Sequence, residues 1–259
     1  MEWRKKIPYA AANPRAAFRF LRERGLQLAA GTYNSFVDLK TRPNAGHPGL
    51  AELDEIKEHA RKRTDISDHL VTLFVEALAV RPRLLVELGV RGGESTFVLE
   101  RVARLSRAKL VSVDIEDCTK ASRYPDWIFL KGDDVEIALG FEAWCRRRNI
   151  EPNVDVLFID TSHLFEHTCR EIESWFPYLS ERSKVFFHDT NLKKVCFRKD
   201  GSIALAWDNQ RGVVAAIEKV LGKSFNEERD FVDVVDGWII KHYAYCSGFT
   251  ILEKVGSLK

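Results

Sequence analysis

Residues 160–167, "DTSHLFEH", place Asp160, His163, Glu166 and His167 within eight positions. The spacing H-x-x-E-H is the zinc-binding signature of inverted zincin peptidases. The run directly before it, "VDVLFI", is apolar and strand-like, which is not how a zinc-binding helix begins. A site on both histidines would also need a third ligand, and no obvious partner stands elsewhere in the chain. The alternative chemistry uses Asp160 and His163 alone, as a carboxylate and an imidazole at one strand end. His167, a further turn along, is then expected to be an ordinary helix residue. A second run, "KVFFHDT", ends in His188 and Asp189. Strand alternation would turn those two side chains to opposite faces, so His188 is a third metal ligand only where the strand breaks, with Asn191 as its substitute.

The elements that must hold these residues alternate. Apolar runs at 83–90, 109–115, 126–133, 154–160 and 184–190 end in Gly, Asp or Thr, or run just past one. Helical segments such as "ESTFVLERVARL" and "HTCREIESWFPYL" separate them. Apolar strands without clean alternation, interleaved with helices, predict a parallel sheet covered on both faces. Ligands of such sheets bind at the carboxyl ends of the strands. There the first run gives "ELGVRGGES", an E-x-G-x-x-x-G loop with Glu87, Gly89 and Gly93. Its glycines would let backbone approach a ligand closely. This is neither G-x-G-x-x-G nor a P-loop. Asp114 and Asp133 end the next two runs, where an acidic group can hold ribose hydroxyls or cap a helix.

The chain has 259 residues, 45% apolar and 30% charged, with a net charge of +2. This composition suits one large α/β domain with an appendage and gives no argument for nucleic acid or a membrane surface. Residues 1–30 are basic, with Arg4, Lys5, Lys6, Arg15, Arg19, Arg22 and Arg24 against Glu2 and Glu23. Such an arm is expected to be a solvated helix face, or else a grip on a partner subunit or an acidic ligand. The five cysteines are scattered and never in a C-x-x-C pair, which points to free thiols and the cytoplasm. Residues 31–49 read as loop and 50–63 as a charged amphipathic helix. The stretch 192–212 reads as a polar excursion containing Trp207, and the C-terminal segment as a closing pair of strands.

The segments "LVELGVRGGES", "VSVDI", "KGDD", "VDVLFIDTSHLFEHTCREIESWFPYL" and "VFFHDT" resemble the class I S-adenosylmethionine-dependent methyltransferases. Within these they look most like the cephalosporin-hydroxylase-like group, which is similar to metal-dependent macrolide-sugar and catechol O-methyltransferases. The resemblance covers about residues 67–255. It implies an α/β, Rossmann-like three-layer sandwich with a seven-stranded, mostly parallel sheet and one antiparallel strand. Residues 1–66 would form an N-terminal helical extension and 67–259 the catalytic domain. It further implies that Glu87, Gly89 and Gly93 surround the methionine part of S-adenosylmethionine, Asp114 holds the ribose and Asp133 lies near the adenine, with Ser95 a further cofactor-binding residue. Asp160 and Asp189, on neighbouring strands, would hold Mg²⁺, with His188 the further candidate ligand. His163, lifted over the sheet edge by a helical turn, would be the base. Relatives commonly have Gly where this chain has Thr161.

The expected function is metal-dependent methyl transfer to a hydroxyl of a small molecule, a natural-product sugar or a catechol-like phenol. Histidine, with an unperturbed pKa of about 6.5, suits the base. An iron-dependent oxygenase and a non-catalytic cofactor-binding subunit are the alternatives. A homo-oligomer is expected, with neither nucleic acid nor membrane as partner.

Overall fold

A computed structural model describes residues 14–38 and 50–255. Arg4, Lys5 and Lys6 of the basic arm and residues 39–49 of the loop-like stretch lie outside them. Five strands run parallel: β1 (Leu84–Leu88), β2 (Lys109–Asp114), β3 (Trp127–Lys131), β4 (Val154–Ile159) and β5 (Leu179–His188). They stand in the order β3-β2-β1-β4-β5. The order therefore reverses between β1 and β4, which is where open α/β sheets form their ligand crevice. Every residue of β1 and β4 is buried, as a strand covered on both faces requires.

Side chains alternate into two core layers. Leu84, Val86 and Leu88 of β1 pack with Phe141 of α5 (Asp134–Arg147), Trp175 of α6 (Phe165–Trp175) and Ile217 of α7 (Gly212–Leu221). Leu85, on the other face, packs with Leu73 of α3 (Leu70–Val80) and Val98 of α4 (Glu94–Ser106). Ile56 of α2 (Ala51–His59) is fully buried in that second layer, so the packing is continuous across residue 66. All five cysteines are buried free thiols. Among the described residues no helix is long and apolar enough to cross a membrane.

The sheet has eight strands where seven were expected, and two are reversed where one was expected. Beyond β5 come β10 (Phe249–Lys254), β9 (Trp238–Tyr243) and β8 (Phe231–Val235), each antiparallel to its neighbour. The C-terminal segment thus holds three strands, not a pair. Val235 pairs with Trp238 across Asp236–Gly237, both at positive φ. That is the Asp-Gly two-residue hairpin, whose backbone twist matches that of the strands it joins.

The excursion at 192–212 also contains a hairpin, β6 (Val195–Phe197) with β7 (Ile203–Leu205). Helix α1 runs Pro14–Asp38, well into the stretch expected to be loop. Its Asn34 bonds both main-chain groups of Ile203, at 3.0 Å to the carbonyl and 2.8 Å from the N–H. Docking on β7 thus outweighs the loop-like composition around Gly31.

Gly89 follows β1 directly, at φ +87°, and a Cβ there would lie 2.0 Å from the Asp160 carbonyl oxygen. Glycine is needed there for contact between two strand ends. Gly89→Ala is expected to destabilise the fold by about 3 kcal/mol, from overpacking and the positive φ together. Urea denaturation measures this, and a change within error of zero would refute the close approach.

Candidate active site

The β1 turn is built around a buried carboxylate. Glu87 faces the α3/α4 layer, wholly buried. Ser95 and Ser112 donate to it at 2.7 and 2.5 Å, and Thr96 lies 3.0 and 2.9 Å from its two oxygens. These three hydroxyl hydrogens take up most of the acceptor sites of a carboxylate. Glu87 and Ser95 therefore brace the glycine turn from beneath, in place of the direct contact with a cofactor expected of them. Burial pushes the Glu87 pKa up to about 7, held from going higher by the three hydroxyls. Gly93 starts α4 at φ +81°, with Ala121 in the way of any Cβ.

Asp114 closes the same turn from the β2 side. Its Oδ2 accepts from the N–H of Val90 and Arg91 at 2.8 and 2.9 Å, and its Oδ1 from Glu116 N at 2.8 Å. Burial raises its pKa, but these backbone donors outweigh it and hold the carboxyl below the usual range. Asp133 caps α5 through Glu136 N at 3.0 Å.

The ends of β4 and β5 bring Asp160, His163 and Asp189 together, with one ligand atom of each within 4.8 Å of the others. His163 Nε2 lies 3.2 Å from Asp189 Oδ2, and its Nδ1 3.8 Å from Asp160 Oδ1. No helical turn lifts His163 into place: α6 begins only at Phe165, and His163 itself adopts φ +58°. Asp189 has φ +57°. A left-handed conformation costs a non-glycine residue about 1–2 kcal/mol, and such strain persists where the surroundings over-determine a site. Gly212 helps here, because its missing Cβ would lie 2.4 Å from the His163 carbonyl oxygen.

The turn at Asp189 ends the strand alternation, so His188 stands beside both carboxylates. Its Nδ1 lies 3.1 Å from Asp160 Oδ1 and 3.4 Å from Asp189 Oδ1, and its Nε2 3.2 Å from the Asp65 carbonyl. Both ring nitrogens face acceptors, so both carry protons and neither offers a lone pair. His188 is thus a buried cation and not the metal ligand expected. Burial alone would lower its pKa, but Asp189 and Asp160 raise it to about 10. Burial raises the Asp160 pKa, and the His188 charge outweighs it and holds that carboxyl low. Burial and the neighbouring Asp160 charge push Asp189 up. Asn191, the substitute ligand, instead donates through Nδ2 to the Ala244 carbonyl at 2.9 Å.

The residues fit a divalent cation. Two carboxylates converge, and Asp189 Oδ1 is a buried acceptor with no hydrogen-bond donor among the described residues. Oxygen-rich sets of this kind favour Mg²⁺. The zincin pattern is not formed: His163 points to Asp189, His167 Nε2 to Asp134 at 3.0 Å, and Glu166 is exposed. His167 is no ordinary helix residue either, since it enters a buried group with Asp134 and Glu171. Sequence reasoning also missed Asn209, buried and donating to the Asp189 carbonyl at 2.9 Å. It missed the Asp65 carbonyl too, and neither has a short-range signal. Trp207 stands 5.9 Å from the His163 ring, centroid to centroid, and is half exposed.

Residues 86–190 match a family model described as "Methyltransferase domain". The fold agrees with that of a methyltransferase from Geobacter sulfurreducens, at TM-score 0.51 and 14% identity over 87% of this chain and 97% of that one. The family match spans 105 of the 259 residues. The fold is that of solved methyltransferases, and the matched segment contains every candidate residue from Glu87 to Asp189. MycE methyltransferase from the mycinamycin pathway, in complex with Mg, SAH and Mycinamycin VI, is similar at TM-score 0.50 and 17% identity. That match covers 80% of this chain and 57% of MycE. SAH-bound PaMTH1 of Podospora anserina is similar at TM-score 0.50 and 13% identity, covering 87% of this chain and 95% of that one. An uncharacterized protein of Sinorhizobium fredii is 39% identical over 44 residues, which are 17% of this chain and 5% of that protein.

The stability of the fold should show Glu87 in its pH dependence. The folded state holds the Glu87 proton more tightly than the unfolded chain does, with a pKa of about 7 against 4.5. Its contribution is therefore greatest below pH 4.5 and declines as pH rises to about 7. Across that window wild type should lose about 3 kcal/mol that Glu87→Gln does not lose. Urea unfolding of both proteins on either side of the window measures the difference; equal slopes would refute it.

Proposed function

We propose that the chain transfers a methyl group from S-adenosylmethionine to a hydroxyl oxygen of a small molecule, with Mg²⁺ held by Asp160 and Asp189. The observation that carries this is the pair of strand-end carboxylates, one with a buried oxygen that accepts no hydrogen bond among the described residues, beside the His163 imidazole. The cofactor supplies the methyl group, and a bound divalent cation lowers the pKa of an acceptor hydroxyl. His163 takes the hydroxyl proton, with its ring held at the mouth of the site between Asp189 and Trp207. Asp114 binds the ribose and Asp133 faces the adenine. The His188 charge offsets part of the negative charge of the two carboxylates, so the site does not repel an ionising acceptor as strongly as a bare pair would. Trp207 covers the acceptor. Methyl transfer needs an in-line approach of oxygen to the sulfonium carbon, so positioning supplies much of the rate.

The substrate class is taken from MycE, which was captured with Mg, SAH and a mycinamycin. A natural-product sugar hydroxyl is accordingly the first acceptor to try and a catechol-like phenol the second. A second copy of the chain is the proposed partner, meeting it through α1, which exposes Phe18, Leu21, Leu28 and Phe36. Sedimentation of a single species at monomer mass across a wide concentration range would remove that partner.

Asp160→Ala and Asp189→Ala are each expected to abolish metal-dependent turnover while calorimetry still finds S-adenosylmethionine binding. Wild-type rates for either variant in EDTA would refute the cation. His163→Ala should lower kcat about 10²-fold or more, and an unchanged kcat would remove His163 as base. Mg²⁺ and S-adenosylmethionine together should raise the melting temperature by more than the sum of their separate effects.

A further inference from the structure

The second group of titratable side chains lies beside Asp133, at the start of α5. Asp134 is the first residue of α5, next to Asp133, while His167 and Glu171 are one turn apart on α6. Glu171 is wholly buried and Asp134 nearly so. Thr161, which follows Asp160, donates its hydroxyl to Glu171 Oε1 at 2.6 Å. Asp134 Oδ1 accepts from Val135 N at 3.0 Å and lies 3.0 Å from His167 Nε2. Two oxygens have no donor among the described residues, Asp134 Oδ2 and Glu171 Oε2, and both are buried.

The imidazole fixes the protonation pattern. Arg170 reaches His167 Nδ1 at 3.1 Å, and a guanidinium can only donate. Nδ1 therefore accepts, and Nε2 carries the hydrogen that points to Asp134. A neutral His167 in this tautomer offers Nε2 no lone pair for a metal. Metal-bound histidines also donate from their other nitrogen, the reverse of this arrangement. Two facing carboxylates without a donor would be costly in a buried place. One proton between them satisfies both. Asp134 already receives two N–H groups and Glu171 none, so the proton belongs on Glu171. The electrostatics agree: burial and the Asp134 charge push Glu171 well up, with Asp160 adding to the same direction. Burial raises the Asp134 pKa, but the hydrogen bond from His167 outweighs it and holds that carboxyl low.

We propose that Glu171 is a positioning residue held as a neutral carboxylic acid. It gives its proton to Asp134 Oδ2 and holds Thr161 through its other oxygen. It thereby ties the loop of Asp160 and His163 to the turn of Asp133. Its effect on catalysis rests on the reading that those two loops bind the cation and the adenine; its protonation does not.

Infrared difference spectra of wild type against Glu171→Gln test the protonation without any activity. A protonated-carboxyl carbonyl band present in wild type and missing from the variant is expected at neutral pH, and no such band overturns the proposal. Nitrogen NMR of wild-type His167 needs no variant and should find Nδ1 unprotonated; a protonated Nδ1 overturns it. Metal analysis showing two Mg²⁺ or Zn²⁺ per chain, falling to one in Glu171→Gln, would put a cation where the proton belongs and overturn it too. For the positioning role, Glu171→Gln should keep kcat within about threefold of wild type. Thr161→Val should lose about tenfold in kcat at unchanged S-adenosylmethionine affinity, with Thr161→Ser restoring it. Equal kcat for wild type and Thr161→Val would remove the positioning role while leaving the protonation result standing.

Discussion

Between Gly89 and the carbonyl of Asp160 there is room for a hydrogen and nothing larger. This contact joins the ends of β1 and β4 at the point where the strand order reverses. It sets how near the glycine turn, braced by Glu87 and closed by Asp114, can come to the carboxylates at the β4 and β5 ends. The two halves of the crevice are thus fixed to one another by backbone. The side chains that line it inherit their separation from that fit.

Charge is balanced within the crevice by neighbours in sequence. His188 lies against Asp160 and Asp189 because the left-handed turn at Asp189 swings two successive side chains to one place. A neutral residue at 188 would leave two adjacent anions in a poorly hydrated corner, a costly arrangement without a cation. Strain at His163 and Asp189 is held by contacts from elsewhere: Gly212 against the His163 backbone and Asn209 on the Asp189 carbonyl. Both come from the segment after β7. The excursion between β5 and α7 therefore shapes the site as well as covering it.

Much of this was legible in the sequence because it depends on residue type and strand ends. Apolar runs closing on Gly or Asp gave the parallel strands, and the neighbouring positions of Asp160 and Asp189 followed from the family resemblance. What escaped depends on backbone angles or distant contacts. Alternation misplaced His188, since nothing local announces that Asp189 turns left-handed. Glu87 and Ser95 were expected to face the cofactor, but Ser112 on β2 and Thr96 on α4 complete a closed cluster below it. His167 looked ordinary because its partner Asp134 is far off in the chain. The Asp236–Gly237 turn joins β8 to β9 and makes three strands of a segment expected to hold a pair.

Asn34 has a wider consequence. Its amide occupies both main-chain groups of Ile203 on β7, one of only two strands in its sheet. A short ribbon with an open margin is a template on which foreign chains can add. A single side chain from the N-terminal helix blunts that margin, so the helix also guards the folded molecule against strand addition there.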